Sequence, residues 1–310
     1  MMMRFRRFLV SALLVIAYGA HAQSAKPAIP TLASIHAQQA FATMKGHVQV
    51  LGGSRPLKAI PEKGVEGIGL IRDSTMRFGR IADPLNPKRQ VIYSAIRNTD
   101  PQTFYHWRAE VVPEGAPLVK SGVTYWIAVE ILVPAARYKA GAGNILQVHN
   151  STPGATVGGP LGLIFTPAGY AMPKAGLAVV STVSTQPIDK LPGHNQKTTY
   201  HWFSDNPGFL NSTAGNYPVD TWVKWVFRYR GDPFGITGLL QAWMNGVQVV
   251  NATGISIGTA PLGFPTDYVK SGVDDWQKTG GGDGIWQMMR SLQVLEDKGY
   301  SHDQVAALLN

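Results

Sequence analysis

The sequence predicts an all-β protein of the sandwich or jelly-roll kind, and three observations carry that expectation. Glycine (34) and proline (21) are abundant in the 310 residues, which favours frequent turns over long helices. Between the turns lie many short runs rich in branched and aromatic residues, the composition of strands. Neither an internal repeat nor a change of composition interrupts this texture, so one β domain is expected after a leader. A hydrophobic content of 45% suffices for a large core, and the absence of cysteine removes both disulfides and thiol chemistry.

The leader is residues 1–22. Arg4, Arg6 and Arg7 precede an apolar run from Phe8 to Ala17, and Ala20-His21-Ala22 is a small-x-small cleavage pattern. This reads as a secretory signal peptide, since the run is well short of the roughly 20 residues that cross a bilayer. The expected location is secreted or periplasmic, with no membrane association after cleavage. Net charge falls from +9 to +6, because three arginines and no acid are lost. A basic exported protein suits an anionic partner. Residues 23–64 form a polar, Pro-containing lead-in, in which Ala33, Ala37, Ala40 and Met44 have helical spacing and predict a short helix from Thr31.

Residues 65–310 carry the strand pattern. Expected strands include Ile68–Ile71, Arg89–Ile96, Thr103–Val112, Thr124–Val133 (ended by Pro134), Asn144–His149, Leu161–Phe165 and Gly176–Ser181. Thr185–Asn216 reads as a long aromatic loop holding His194, Tyr200, His201, Trp202 and Phe203, of the kind that borders binding sites. Thr221–Arg230 is a further expected strand. Gly238–Met244 and Val247–Val250 flank Asn245-Gly246, a type I′ hairpin signal. Tyr268–Val273 is a further strand, while Ile285–Leu295 fits a strand or a helix. Ser301 with Gln304 forms a capping box before a terminal helical turn.

Within these strands three polar pairs occupy positions i and i+2, which share a strand face: Arg108 with Glu110, Gln147 with His149, and Tyr268 with Lys270. If the three strands are neighbours, the pairs converge on one surface. Arg-x-Glu, Gln-x-His and Tyr-x-Lys-x-Gly (closing on Gly272), in this order, resemble the signature of jelly-roll polysaccharide lyases. The likeness is to the alginate lyase, glucuronan lyase and heparin-lyase-like group with a concanavalin-like sandwich, and it covers roughly Ile68 to Val273. Tyr125-Trp126 before the Gln-x-His strand, and Trp222–Val226 before Gly238–Gly246, fit the same group. Two departures stand out: Val111-Val112 follow the first pair where the group often has Leu-Arg, and Asp274 stands where the group often has a second tyrosine. Both fall near substrate subsites and bear on the choice of sugar.

The resemblance implies β-elimination on a 4-linked uronate in an anionic polysaccharide; the protein is expected to act as a monomer and without a cofactor. The proton at C5 becomes removable only when the neighbouring carboxylate is neutralised, so the developing charge is stabilised. Arg108, with a bidentate fork, and Gln147, with an amide donor, suit that task. A base must take the C5 proton and an acid must protonate the departing O4. Histidine titrates near about 6.5 as a residue type, so His149 suits the base or the neutraliser. Tyr268 suits the acid, and also the base if Lys270 favours its phenolate. Lys270, Glu110, Trp202 and His201 are the candidate substrate-binding residues; Glu110 also reads as support for Arg108 or Lys270, and Trp202 equally as core.

Other classes fit less well. A glycoside hydrolase needs two flanking carboxylates, yet acids number 19 and form no closely spaced same-face pair on an expected strand; Asp274-Asp275 are adjacent and would point oppositely in a strand. A non-catalytic carbohydrate-binding module shares the sandwich and the basic charge. No metal site is expected, because the histidines lack ligand spacing, and no basic cluster or motif points to nucleic acid.

Overall fold

The computed structural model describes residues 47–50, 53–59, 78–96, 107–113, 118–135, 143–150, 159–166, 176–184, 196–202, 218–258, 265–275 and 285–309. The expected signal peptide, the helix expected from Thr31 and the run Ile68–Ile71 lie outside them. In chain order the strands are β1 (His47–Val50), β2 (Gly53–Ala59), β3 (Phe78–Asp83), β4 (Asn86–Ile96), β5 (Trp107–Pro113), β6 (Val119–Lys120), β7 (Thr124–Leu132) and β8 (Gly143–Asn150). Then come β9 (Leu161–Thr166), β10 (Gly176–Ser184), β11 (Gln196–Trp202), β12 (Trp222–Arg230), β13 (Gly238–Met244), β14 (Val247–Ile255), β15 (Pro265–Asp275) and β16 (Ile285–Glu296). One short helix, α1 (His302–Ala306), and a 3-10 turn to Leu309 close the chain.

Two antiparallel sheets form a jelly-roll sandwich. One has nine strands in the order β1-β2-β5-β15-β8-β9-β10-β11, with β6 also paired to β15; the other has seven, in the order β14-β13-β12-β7-β16-β4-β3. Alternation along the strands builds the core between them. In β12, Val223, Trp225, Phe227 and Tyr229 are fully buried, and they pack with Ala109, Leu146, Val148, Leu163, Val269 and Val273 of the nine-stranded sheet. Burying side chains from both inner faces is what joins two sheets into one core. β7 is buried on both faces, which explains its largely apolar sequence; its one charged residue, Glu130, is paired with Arg290. Tyr125, Ile127, Val129 and Ile131 face the core, while Trp126 and Ala128 lie under Val305 and Leu309 of the C-terminal segment.

That C-terminal segment therefore closes the outer face of the seven-stranded sheet. Ser301 caps α1 as expected: its hydroxyl accepts from the Gln304 amide, and the Gln304 carbonyl accepts from the Ser301 N–H at 2.9 Å. Beside it, the Arg228 guanidinium lies 5.4 Å from the Trp126 ring centre and donates twice to Asp297, at 2.8 and 2.9 Å. At the β13–β14 turn, Asn245 (φ 49) and Gly246 (φ 82) both adopt the positive φ that a type I′ hairpin requires.

Three stretches differ from expectation or resolve it. The run Ile285–Leu295, open between helix and strand, is a strand bonded to β7 and β4. Thr185–Asn216 is not loop throughout, because Gln196–Trp202 pairs with β10 over seven positions. Its polar composition hid it, since it sits last in the sheet order and is bonded to one neighbour. β1 and β2 fall within 23–64, the stretch expected to be a lead-in, and they extend the nine-stranded sheet through β5.

Candidate active site

β15 lies between β8 and β5, and its register decides which side chains meet. Tyr268 stands opposite His149 and Lys270 opposite Gln147 on one side; Gly272 stands opposite Glu110 and Asp274 opposite Arg108 on the other. Residues directly opposite in an antiparallel pair share a face. Ala109, Leu146, Val148, Val269 and Val273 point into the core. Arg108, Glu110, Gln147, His149, Tyr268 and Lys270 are therefore gathered on the outer face, as the three sequence pairs suggested. Arg108 is placed there by register, its side chain lying outside the described residues.

This face has a partly open end and a buried interior. His149 and Tyr268 are half-buried and form a tilted ring pair, centres 5.5 Å apart with 38° between planes. Next along the strands, Lys270 donates to Glu110 at 2.8 Å, with side chains only 1% and 2% exposed. Beyond them, Asp274 Oδ2 accepts from Gln147 Nε2 at 2.8 Å and from Asn144 Nδ2 at 3.1 Å, again in the interior. An ionised carboxylate can only accept, so this geometry turns the NH2 end of each amide toward Asp274.

Gly272 makes the Lys270–Glu110 contact reachable. Its φ is +147°, and a Cβ there would lie 2.2 Å from the Ala109 carbonyl oxygen and 2.6 Å from Glu110 Cα. Backbone cannot yield by that much, so β15 and β5 approach this closely only with glycine at 272.

Two bulges set the remaining geometry. The β8–β9 register slips between Asn144 and Leu146, and the β15–β8 register slips between Ser271 and Asp274. Ile145 and Leu146 are both buried, which returns Asn144 to the face of Gln147 three residues away. The Ile145 carbonyl accepts from Ser271 Oγ at 2.9 Å and from Gln287 Nε2 at 3.1 Å. Gln287 belongs to β16, so the opposite sheet reaches through the core to hold this bulge.

Register through β9 and β10 places the two remaining candidates. Trp202 pairs with Ala178, which pairs with Ile164 and then Asn144, so Trp202 belongs to the face of the site, roughly 14 Å away across three strand spacings. His201 pairs with Val179, then Leu163 and Leu146, and so takes the core-side face. A strand cannot present adjacent residues on one side, and the expectation of a loop had obscured that. Tyr200 follows Trp202 on the site's face, in line with Gly162 and Gln147.

The polysaccharide lyase family model matches residues 75–286, from just before β3 into β16. The chain belongs to the polysaccharide lyase family. No curated protein resembles it in sequence above chance. Among solved structures, this polysaccharide lyase family member is similar to an endo-β-1,4-glucuronan lyase from the fungus Trichoderma reesei, with TM-score 0.54 and 12% identity over 78% of this chain and 94% of that one. An alginate lyase from Klebsiella pneumoniae gives TM-score 0.48 and 13% identity over 79% and 96%. One from Pseudomonas aeruginosa gives 0.45 and 16% over 78% and 98%.

Asn144 and Asp274 are the members of the site that sequence reasoning missed. In the sequence Asp274 reads as a departure from the group's pattern and as one of two adjacent carboxylates, and Asn144 as a strand residue. No spacing rule foretells a bulge, so the one available signal was the run of polar residues at Asn144, Gln147 and Asp274 in strands otherwise apolar.

Proposed function

We propose that this polysaccharide lyase cleaves a 4-linked uronate in an anionic polysaccharide by β-elimination, as an exported monomer. The observation that carries the reading is the half-buried His149–Tyr268 pair, on a face where Glu110, Asn144, Gln147, Lys270 and Asp274 are buried. An imidazole and a phenol side by side supply the two proton-transfer groups the reaction needs. Either His149 takes the C5 proton and Tyr268 protonates the departing O4, or His149 holds the uronate carboxylate and Tyr268, as phenolate, takes the C5 proton and passes it to O4. Arg108 and the second N–H of Gln147 neutralise the carboxylate so that charge developing at C5 is stabilised. Lys270 and Glu110, bonded to each other in the interior, brace the face more than they touch sugar. Trp202 offers a stacking surface further along.

Two features favour elimination over hydrolysis. A hydrolase needs one carboxyl to donate a proton and another to face the sugar, whereas Glu110 and Asp274 are buried and already engaged by Lys270 and by two amides. The similarity to a glucuronan lyase points the same way in substrate class.

The test is incubation with glucuronan, alginate blocks and heparin-type glycans while following ultraviolet absorbance of the unsaturated product. Tyr268→Phe and His149→Ala are each expected to lower turnover by about 10²–10⁴-fold, the range for a lost acid or base. New reducing ends without absorbance would replace this reading with hydrolysis. Binding without either signal would replace it with a carbohydrate-binding module.

A further inference from the structure

Asp274 lies inside the site, yet nothing in the proton transfers uses it. It is 1% exposed and stands opposite Arg108 in register. Its Oδ2 accepts from Nε2 of Gln147 and Nδ2 of Asn144. A side-chain amide has two ends of opposite polarity and similar shape, and only its partners decide which end points where. A carboxylate partner settles this for Gln147, because the amide carbonyl cannot face it. One N–H of Gln147 is anchored, and the other is left directed by the fixed amide plane.

We infer that Asp274 is a positioning residue: by accepting from Gln147 it holds that amide with its second N–H toward the substrate carboxylate. The inference rests on the elimination reading and deepens it. A flipped amide would present its carbonyl oxygen to the uronate carboxylate, turning an attractive contact into a repulsive one. Asn144 completes the arrangement by occupying the same carboxylate oxygen, which narrows the angles open to Gln147. The two strand bulges exist in the right places for this, since without them Asn144 and Asp274 would fall out of step with Gln147.

The test is a cycle of Asp274→Asn, Gln147→Ala and the double variant, assayed on the polyuronate that the wild type cleaves, with Tm measured for each. Side-chain amide resonances of Gln147 are recorded in parallel by NMR. Asp274→Asn keeps the shape and lets the amide turn over. The expected result is a loss of tenfold or more in kcat/KM at near-native Tm. Gln147→Ala should lose a similar factor, and the double variant no more than the worse single. The Gln147 amide resonances should also shift in Asp274→Asn. Full activity in Asp274→Asn, or losses that multiply in the double variant, would overturn the inference. If Asp274→Asn fails to fold, Asp274→Ser takes its place with the same expectations. Should the wild type cleave no polyuronate, the elimination reading fails by itself. The amide resonances then still decide: a shift supports the orienting role, and unchanged resonances overturn it.

Discussion

Replacing Glu110 by glutamine preserves the shape of the side chain and deletes the charge that faces Lys270. The two groups are 2.8 Å apart, with the lysine 1% and the glutamate 2% exposed, so water does little to screen them. At an effective dielectric of about 20, two unit charges at that separation attract by roughly 6 kcal/mol. Removing one member of a buried pair costs about 3–5 kcal/mol in practice, because the survivor sheds its proton or recruits water. For a chain of this size that lowers Tm by on the order of 10 °C. Scanning calorimetry of the wild type, Glu110→Gln, Lys270→Met and the double variant measures it. The double variant should regain most of the loss, since a neutral buried pair leaves no isolated charge. A Glu110→Gln protein melting within about 2 °C of wild type would refute the reasoning. So would a double variant as damaged as the two singles summed.

Gly272→Ala is expected to destabilise by about 3 kcal/mol or more, since its Cβ would strike the backbone of Ala109 and Glu110; Gly246→Ala, with nothing within 4 Å of its Cβ, should lose only about 1–2 kcal/mol through its positive φ. Urea titration of the two variants separates clash from conformational strain, and equal losses would contradict it. Asp297 gives a pH signature. Burial pushes its carboxyl upward, but the Gly299 N–H and Arg228 outweigh this and leave it below the ordinary carboxylate range. A depressed folded pKa means that the ionised form stabilises the fold. The contribution is complete at neutral pH, begins to fade below about 4, and is gone once pH falls below the folded value. Asp297→Asn should therefore be less stable than wild type by about 1 kcal/mol at pH 7, and the gap should close as denaturant melts are taken below pH 4.

What the sequence made legible follows from what each residue contributes alone. Thr124–Leu132 could be read because burial on both faces demands a largely apolar run, here interrupted only by Glu130 after Thr124. Asn245-Gly246 could be read because few residues tolerate the φ values of that turn. The pairs Gln147/His149 and Tyr268/Lys270 could be read because a strand's period of two is rigid. β11 and β2 could not, since edge or near-edge strands are held by backbone bonds and need little apolar side chain. Asp274 and Asn144 escaped for another reason. Their convergence depends on two bulges, and Ile145 is held in its bulge by Gln287, 142 residues away. A contact so distant leaves no local trace.

The same distances bear on how the protein comes into being. Lys270 meets Glu110 across 160 residues of chain, and Gln147 meets Asp274 across 127. Closing such long loops is entropically unfavourable until many contacts form together, which makes topologies of this kind slow to assemble. β15 is the keystone: until it inserts, β5 and β8 each hold an unpaired edge toward the gap it will fill. Open edges of that sort recruit strands from other chains. Tyr268 thus rides on the strand whose arrival both completes the active face and ends the chain's exposure to aggregation.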